Sequence, residues 1–222
     1  MRVLLEVLRK DLLIEWRGRS RLVALGCYAL TFLLLFSFAV GPNTAALREH
    51  AAAYLWLSVL AVSTLLLVQS FQVETEAGAL EGLLLLPVGP GALFYGKSLA
   101  NLIFISLVGL IALPISLLLF DLAPVGSPLL LVLVIILGAG GFAAPGTLYA
   151  GLTARIPAQQ LMLPVLLFPL VVPAVLSAVK ATSLILLGDP MGQLPVWMAV
   201  QLCFDLIYWS LCGLLFAKVV EE

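Results

Sequence analysis

The chain has 222 residues and a formal net charge of −1; 63% of its residues are hydrophobic and only 10% are charged. A water-soluble domain is closer to one quarter charged, so most of this surface must face lipid. The near-neutral balance removes any electrostatic case for a nucleic-acid partner or an acidic substrate.

In chain order, the first segment holds Arg2, Arg9, Lys10, Arg17, Arg19 and Arg21. On a helical wheel Leu4, Leu5, Leu8, Leu12 and Trp16 form an apolar stripe, with Arg2, Glu6, Arg9, Lys10 and Arg17 opposite. This predicts an interfacial helix over residues 1–21, lying flat with its basic face toward anionic headgroups. Asp11 and Glu15 fall near the edge of the stripe and break the pattern. Six apolar runs follow, at 22–40, 51–71, 99–120, 129–152, 161–182 and 196–217. Each is about the 20 residues that a helix needs to cross a bilayer. The runs are continuous rather than alternating, and lipid tolerates no open sheet edge, so the expected fold is an all-α membrane protein of six transmembrane helices in one domain. The first run is too long for a signal-peptide core and reads as a retained span.

Orientation follows from Lys and Arg. Placing the basic N-terminal segment in the cytoplasm puts Lys97, Arg155 and Lys218 on the same side, and leaves Arg48 and Lys180 at the outer face. Both termini are then cytoplasmic, with the lipid bilayer as the first partner.

Residues 72–98 form the longest inner segment. Glu74 and Glu81 are seven apart and share a helical face, with Glu76 beside them; Leu80, Leu83 and Leu84 lie on another. Pro87 ends this short amphipathic helix, Gly82 lies within it, and residues 88–91 read as a turn. The spacing suits a solvated connector and a docking helix equally. Gly91, Gly96, Lys97 and Ser98 match the phosphate-loop pattern G-x-x-x-x-G-K-S. That chemistry requires a strand before the loop and a helix N-terminus aimed at the phosphates, and no strand precedes these residues, so nucleotide binding by this chain is rejected. Lys97 is expected to snorkel to the inner interface.

The fourth run contains Gly138, Gly140, Gly141, Pro145 and Gly146, small residues that let membrane helices pack closely. The fifth contains Pro164, Pro169 and Pro173, which free backbone carbonyls that need another partner. Together these runs read as a packing and kink region. Polar residues inside the membrane are few: Asp205 near the middle of the last run, with Gln201 and Tyr208 one turn to either side. An aspartate there faces the protein interior, either as a working group or as a packing hydrogen bond. Cys27, Cys203 and Cys212 lie in apolar runs without C-x-x-C spacing and read as small buried hydrophobes. With His50 as its only histidine, placed at the outer start of the second run, the chain offers no catalytic set and no group with metal-ligand spacing; an enzyme is not expected.

The stretch from Glu76 to Val88, followed by Tyr95-Gly-Lys-Ser-Leu-Ala100, resembles the first cytoplasmic loop of ABC-2-like permeases. Together with Phe142-Ala-Ala-Pro-Gly146 and the proline-rich run from Leu163 to Pro173, it resembles the CcmB family, membrane subunits of the cytochrome c maturation transporter, over essentially the whole chain. The resemblance implies a permease of the bacterial inner membrane without its own ATPase. Two copies would pair with two cytoplasmic ATP-binding subunits, alongside a multispanning heme-handling subunit, a small single-span subunit and a periplasmic heme chaperone. Heme would be cargo of the complex and ATP would sit on the partner. Glu74, Glu76, Glu81, Gly82 and Pro87 would couple to it. No cofactor is assigned to this chain itself, and His50 is its one candidate heme ligand. Rival readings are a permease of another ABC-2-type exporter, a non-transporting membrane scaffold, and an ion-coupled carrier using Asp205.

Overall fold

The computed structural model describes residues 2–17, 19–76, 90–154, 156 and 159–221. Among these residues the chain is entirely helical: α1 (Arg2–Arg17), α2 (Arg19–Val40), α3 (Thr44–Glu76), α4 (Pro90–Leu119), α5 (Pro128–Thr153), α6 (Gln159–Leu187) and α7 (Leu194–Glu221). Six of them, α2 to α7, are long and apolar enough to cross a membrane. The protein is therefore a multi-pass membrane protein, and among the described helices α1 is the strongly amphipathic one.

The helices alternate in direction. α1, the end of α3, the start of α4 and the end of α7 meet at one end of the bundle, where Gly96 abuts Val7 and Gly213 abuts Tyr95. At the other end, Arg48 of α3 pairs with Asp121, just beyond α4. The chain after Asp121 docks on the end of α6 through Gly126 N–H to the Ile185 carbonyl at 2.9 Å. Two helix starts at this end are capped by side chains. Ser127 Oγ accepts from Leu129 N–H, with Pro128 opening α5. The Asp189 carboxylate accepts from Gln193 and Leu194 N–H, both at 2.8 Å. Those bonds, Leu194 foremost, hold the Asp189 carboxyl below the usual range.

α3 and α5 are the most enclosed spans, while α2, α6 and α7 present most of their surface outward. Cys212 is buried, but Cys27 and Cys203 are exposed on the outside of the bundle, so the buried reading holds for Cys212 alone. Several helices outrun the apolar runs. α3 starts at Thr44 and reaches Glu76, and α6 extends to Leu187. α4 begins at Pro90, so Pro90 and Gly91, expected in a turn, are its first residues. Proline suits a first turn because its missing N–H has no helical acceptor there. Residues 91–98 consequently lie in a continuous helix and form no phosphate-cradling loop.

Lys97 corrects a second expectation. It does not snorkel: it is 2% exposed. Its ammonium donates to the Ser70 carbonyl at 3.0 Å, lies 4.6 Å from the centre of the Phe71 ring, and pairs with Asp11 of α1 at 3.6 Å. A buried ammonium is tolerated only when paired and hydrogen-bonded, and here α1 and α3 supply the partners for a lysine carried by α4. Asp11, which spoils the stripe of α1 in the sequence, is thereby explained. Among the described side chains of α1, Val7 is buried, while Leu5 and Leu13 remain exposed.

Two predictions follow from this arrangement. Asp11→Asn and Lys97→Met should each lower the unfolding midpoint in detergent. The double variant should lose less than the sum, with a coupling of about 1 kcal/mol or more; strictly additive losses would reduce the pair to mere proximity. In cells, an impermeant maleimide should label a cysteine replacing Thr44 and spare one replacing Gln160, both exposed positions at opposite ends of the bundle. Labelling of the second alone would invert the orientation given by the basic residues.

Candidate functional site

α5 is built so that other helices can touch it from every side. Residues 138–148 are all buried, an unbroken run that no amphipathic helix shows. The small side chains make this possible. A Cβ on Gly138 would collide with the Trp56 ring, one on Gly146 with Leu67, and one on Gly141 would come within 2.7 Å of Ala174 Cβ. Pro145 and Gly146 lie in this enclosed stretch. Trp56, seated over Gly138, donates its indole N–H to Thr182 of α6 at 2.9 Å. Asn101 of α4 donates to Thr147 of α5 at 2.8 Å, and Thr147 passes its own proton to the Ala143 carbonyl.

Asp205 lies against the same stretch. It is the middle residue of the apolar window of α7, Leu194–Phe216, and is 9% exposed. A Cβ on Gly140 would stand 2.9 Å from Asp205 Oδ2, and one on Gly141 3.4 Å from Oδ1. The carboxyl therefore rests on backbone that only glycine leaves open. Asp205 Oδ1 has no hydrogen-bond partner among the described residues, and neither has Gln201 Nε2, which is also buried. Tyr208 is half-buried and stacked on Phe204, ring centres 4.2 Å apart. Beside Asp205 a groove of about 370 Å³ opens sideways between α4, α5 and α7, lined by Leu102, Ile136, Gly140, Leu206, Trp209 and Ser210 among others. Trp209 donates its indole N–H to the Gly140 carbonyl at 3.1 Å.

At the opposite end from α1, a second groove of about 580 Å³ lies among Arg48, Leu117, Asp121, Leu122, Leu186 and Leu187. His50 is exposed nearby on α3, its ring edge toward Tyr54 at 6.2 Å.

The remaining sequence-derived residues separate. Glu74 and Glu76 end α3, while Glu81, Gly82 and Pro87 lie outside the described residues. Pro169 and Pro173 lie on the exposed side of α6, away from the buried Gly141, Pro145 and Gly146. The buried face of α6 carries Leu167, Val171, Ala174 and Ala178 instead, with Ala174 against Gly141 of α5. The sequence reading missed Gly140 as the seat of the carboxyl and Trp209 as its neighbour. A tryptophan one turn from an intramembrane aspartate was the available signal, because a buried indole N–H seeks an acceptor.

Comparison with known proteins gives this geometry its family. Residues 2–219 match the family model described as CcmB protein. The chain is similar to heme exporter protein B of Bradyrhizobium diazoefficiens, with 29% identity over 85% of this chain and 84% of that protein. It is 32% identical to heme exporter protein B of Rhodobacter capsulatus over 67% of this chain and 68% of that one. The corresponding protein of Pseudomonas aeruginosa is 29% identical over 75% of this chain and 74% of its own length. An all-helical bundle with six candidate spans, matched along nearly its whole length, belongs to the CcmB family.

Proposed function

We propose that this chain is the membrane-embedded permease subunit of an ABC-type heme exporter of the bacterial inner membrane, serving cytochrome c biogenesis, with both termini in the cytoplasm. The observation that carries the reading is the match over residues 2–219, together with relatives named heme exporter protein B. ATP binds to a cytoplasmic partner in this reading. The helical course of residues 91–98 supports that division of labour, because from residue 94 on the amides are spent on the helix ladder and no loop is left to wrap a phosphate.

Work from the partner enters through residues 72–98. This segment joins the end of α3 to the start of α4, and Lys97 ties both ends to α1. A push on the segment then moves three helices together rather than one loop alone. The stroke serves heme delivery or the release of a periplasmic heme chaperone. Heme itself is gripped by other subunits of the assembly in this reading, which the presence of a single histidine, His50, supports. A second copy of the chain, two ATP-binding subunits, a multispanning heme-handling subunit and a small single-span subunit complete the assembly.

The test uses the assembled complex in liposomes. Glu81→Arg places a like charge against any basic contact on the ATP-binding partner. It should weaken co-purification of that partner about tenfold, near 1.4 kcal/mol, and lower stimulated ATPase activity in step. The purified chain alone should not hydrolyse ATP. Unchanged partner binding and ATPase activity in the variant would return the segment to a passive connector.

A further inference from the structure

The groove at the end of the bundle opposite α1 changes character along its depth. Its walls include Leu117, Leu118, Leu122 and Leu187, and its rim is the Arg48–Asp121 pair. The apolar windows of α4 and α6 end at Leu119 and Leu187, and that of α3 begins at Thr44. The groove therefore lies where hydrocarbon gives way to headgroups. Leu118 is 84% exposed and Leu187 48%, so its apolar part opens toward lipid. Its volume of about 580 Å³ falls within the roughly 300–1,000 Å³ of ordinary small-ligand sites.

The rim keeps unused binding capacity of both signs. Asp121 meets Arg48 through Oδ2 and a single guanidinium nitrogen, Nη2. An arginine has five N–H donors and a carboxylate about four acceptor sites, so most of both remain open. The backbone also marks Asp121. Leu122 N–H closes α4 onto the Leu117 carbonyl at 2.9 Å, and Asp121 takes the left-handed turn before it, with a φ of 50°. Glycine adopts that conformation more readily, so the helix end by itself would favour glycine. Aspartate there keeps a carboxylate at the rim.

We propose that this groove binds one phospholipid whose zwitterionic headgroup carries a primary amine, with its phosphate on Arg48, its ammonium on Asp121 and an acyl chain along Leu118, Leu122 and Leu187. Charge complementarity selects this class. A guanidinium takes a phosphate through paired hydrogen bonds, and a primary ammonium donates to a carboxylate. A quaternary ammonium has no N–H to donate. A headgroup that is only anionic would leave Asp121 facing negative charge. It would do so at an end of the bundle where Arg48 and Lys180 stand against Glu49, Asp121 and Asp189. The bound lipid joins α3, which carries Arg48, to the ends of α4 and α6. The inference rests on the chain spanning a membrane, and neither on the transporter reading nor on which end is periplasmic.

The experiment uses the full chain in its native complex, reconstituted in phosphatidylcholine vesicles. The vesicles contain a trace of phosphatidylethanolamine with a photoreactive diazirine on its acyl chain. Parallel vesicles carry the same diazirine on phosphatidylcholine or on phosphatidylglycerol. Phosphatidylethanolamine should label the peptides spanning 117–125 and 186–187 about tenfold more than either other probe. Labelling around Phe38, exposed on α2, should be equal for all three. Asp121→Gly removes the acceptor for the ammonium at a backbone position that suits glycine. It should abolish the preference over phosphatidylglycerol without lowering labelling by phosphatidylglycerol itself. Ala123→Trp fills the groove from an exposed position of its lining and leaves both charges in place. It should lower labelling of these peptides by phosphatidylethanolamine about tenfold. Equal labelling by the three lipids in the wild-type chain would mean ordinary boundary lipid and overturn the proposal. So would an unlabelled groove, as when another subunit or a second copy covers it, or a preference that survives Asp121→Gly.

Discussion

Lipid gives helices little apolar reason to associate, so this bundle depends on how closely they can approach the middle of α5. The buried run from Gly138 to Leu148 sets that distance. Trp56 of α3 fills the space over Gly138, Leu67 that over Gly146, Ala174 of α6 that over Gly141, and Asp205 of α7 that over Gly140. Each contact uses an absent side chain, and together they come from three helices, α3, α6 and α7. Enlarging Gly141 would press on Ala174 Cβ and so on α6 itself, and enlarging Gly138 would press on the buried Trp56 ring, whereas at Gly140 and Gly146 the first atoms met are side-chain ends.

The polar groups of the interior follow the rule that hydrocarbon supplies no partners. Most buried hydroxyls return their proton to a carbonyl of the preceding turn, as Ser58 does to Leu55 and Ser63 to Val59. A smaller set reaches across helices: Trp56 to Thr182, Asn101 to Thr147, Lys97 to Ser70 and Trp209 to Gly140. These bonds link α3 to α6, α4 to α5, α4 to α3 and α7 to α5. Being directional, they define relative rotation and height, which small-residue packing alone leaves loosely determined. Asp205 Oδ1 departs from the rule, as do Gln201 Nε2, Gln69 Oε1 and the hydroxyls of Ser98 and Ser106, and at Asp205 the departure coincides with an opening in the wall of the bundle.

Much of this was readable in the sequence. Uninterrupted apolar runs gave the number and order of the spans, and the stripe of α1 gave its amphipathic character. Helix ends were less legible, because hydropathy marks where lipid begins and not where the backbone ladder stops; Thr44 and Pro90 start helices well outside their apolar runs. The facing of each span was harder still. A membrane helix apolar all round carries almost no amphipathic signal, so nothing in the sequence showed that Pro169 and Pro173 point outward while Gly141 points inward. Lys97 misled for a related reason. A lysine at the edge of an apolar run normally reaches water, and its partner Asp11 lies on a different helix that no local pattern connects to it.

α4 joins these features mechanically. Along one helix it carries Lys97, tied to α1 and α3, then Asn101, tied to Thr147 of α5, then Leu102, a wall of the lateral groove. Five residues of helix span roughly 7.5 Å, little more than one turn. A rigid shift of the start of α4 therefore cannot leave the groove unchanged, unless the helix bends between Lys97 and Leu102 or Asn101 releases Thr147. No proline interrupts α4 before Pro114, well beyond the groove, so the segment between the two sites has no ready hinge. The end of the bundle that meets the loop and the wall that faces the membrane are thus two readings of the position of a single helix.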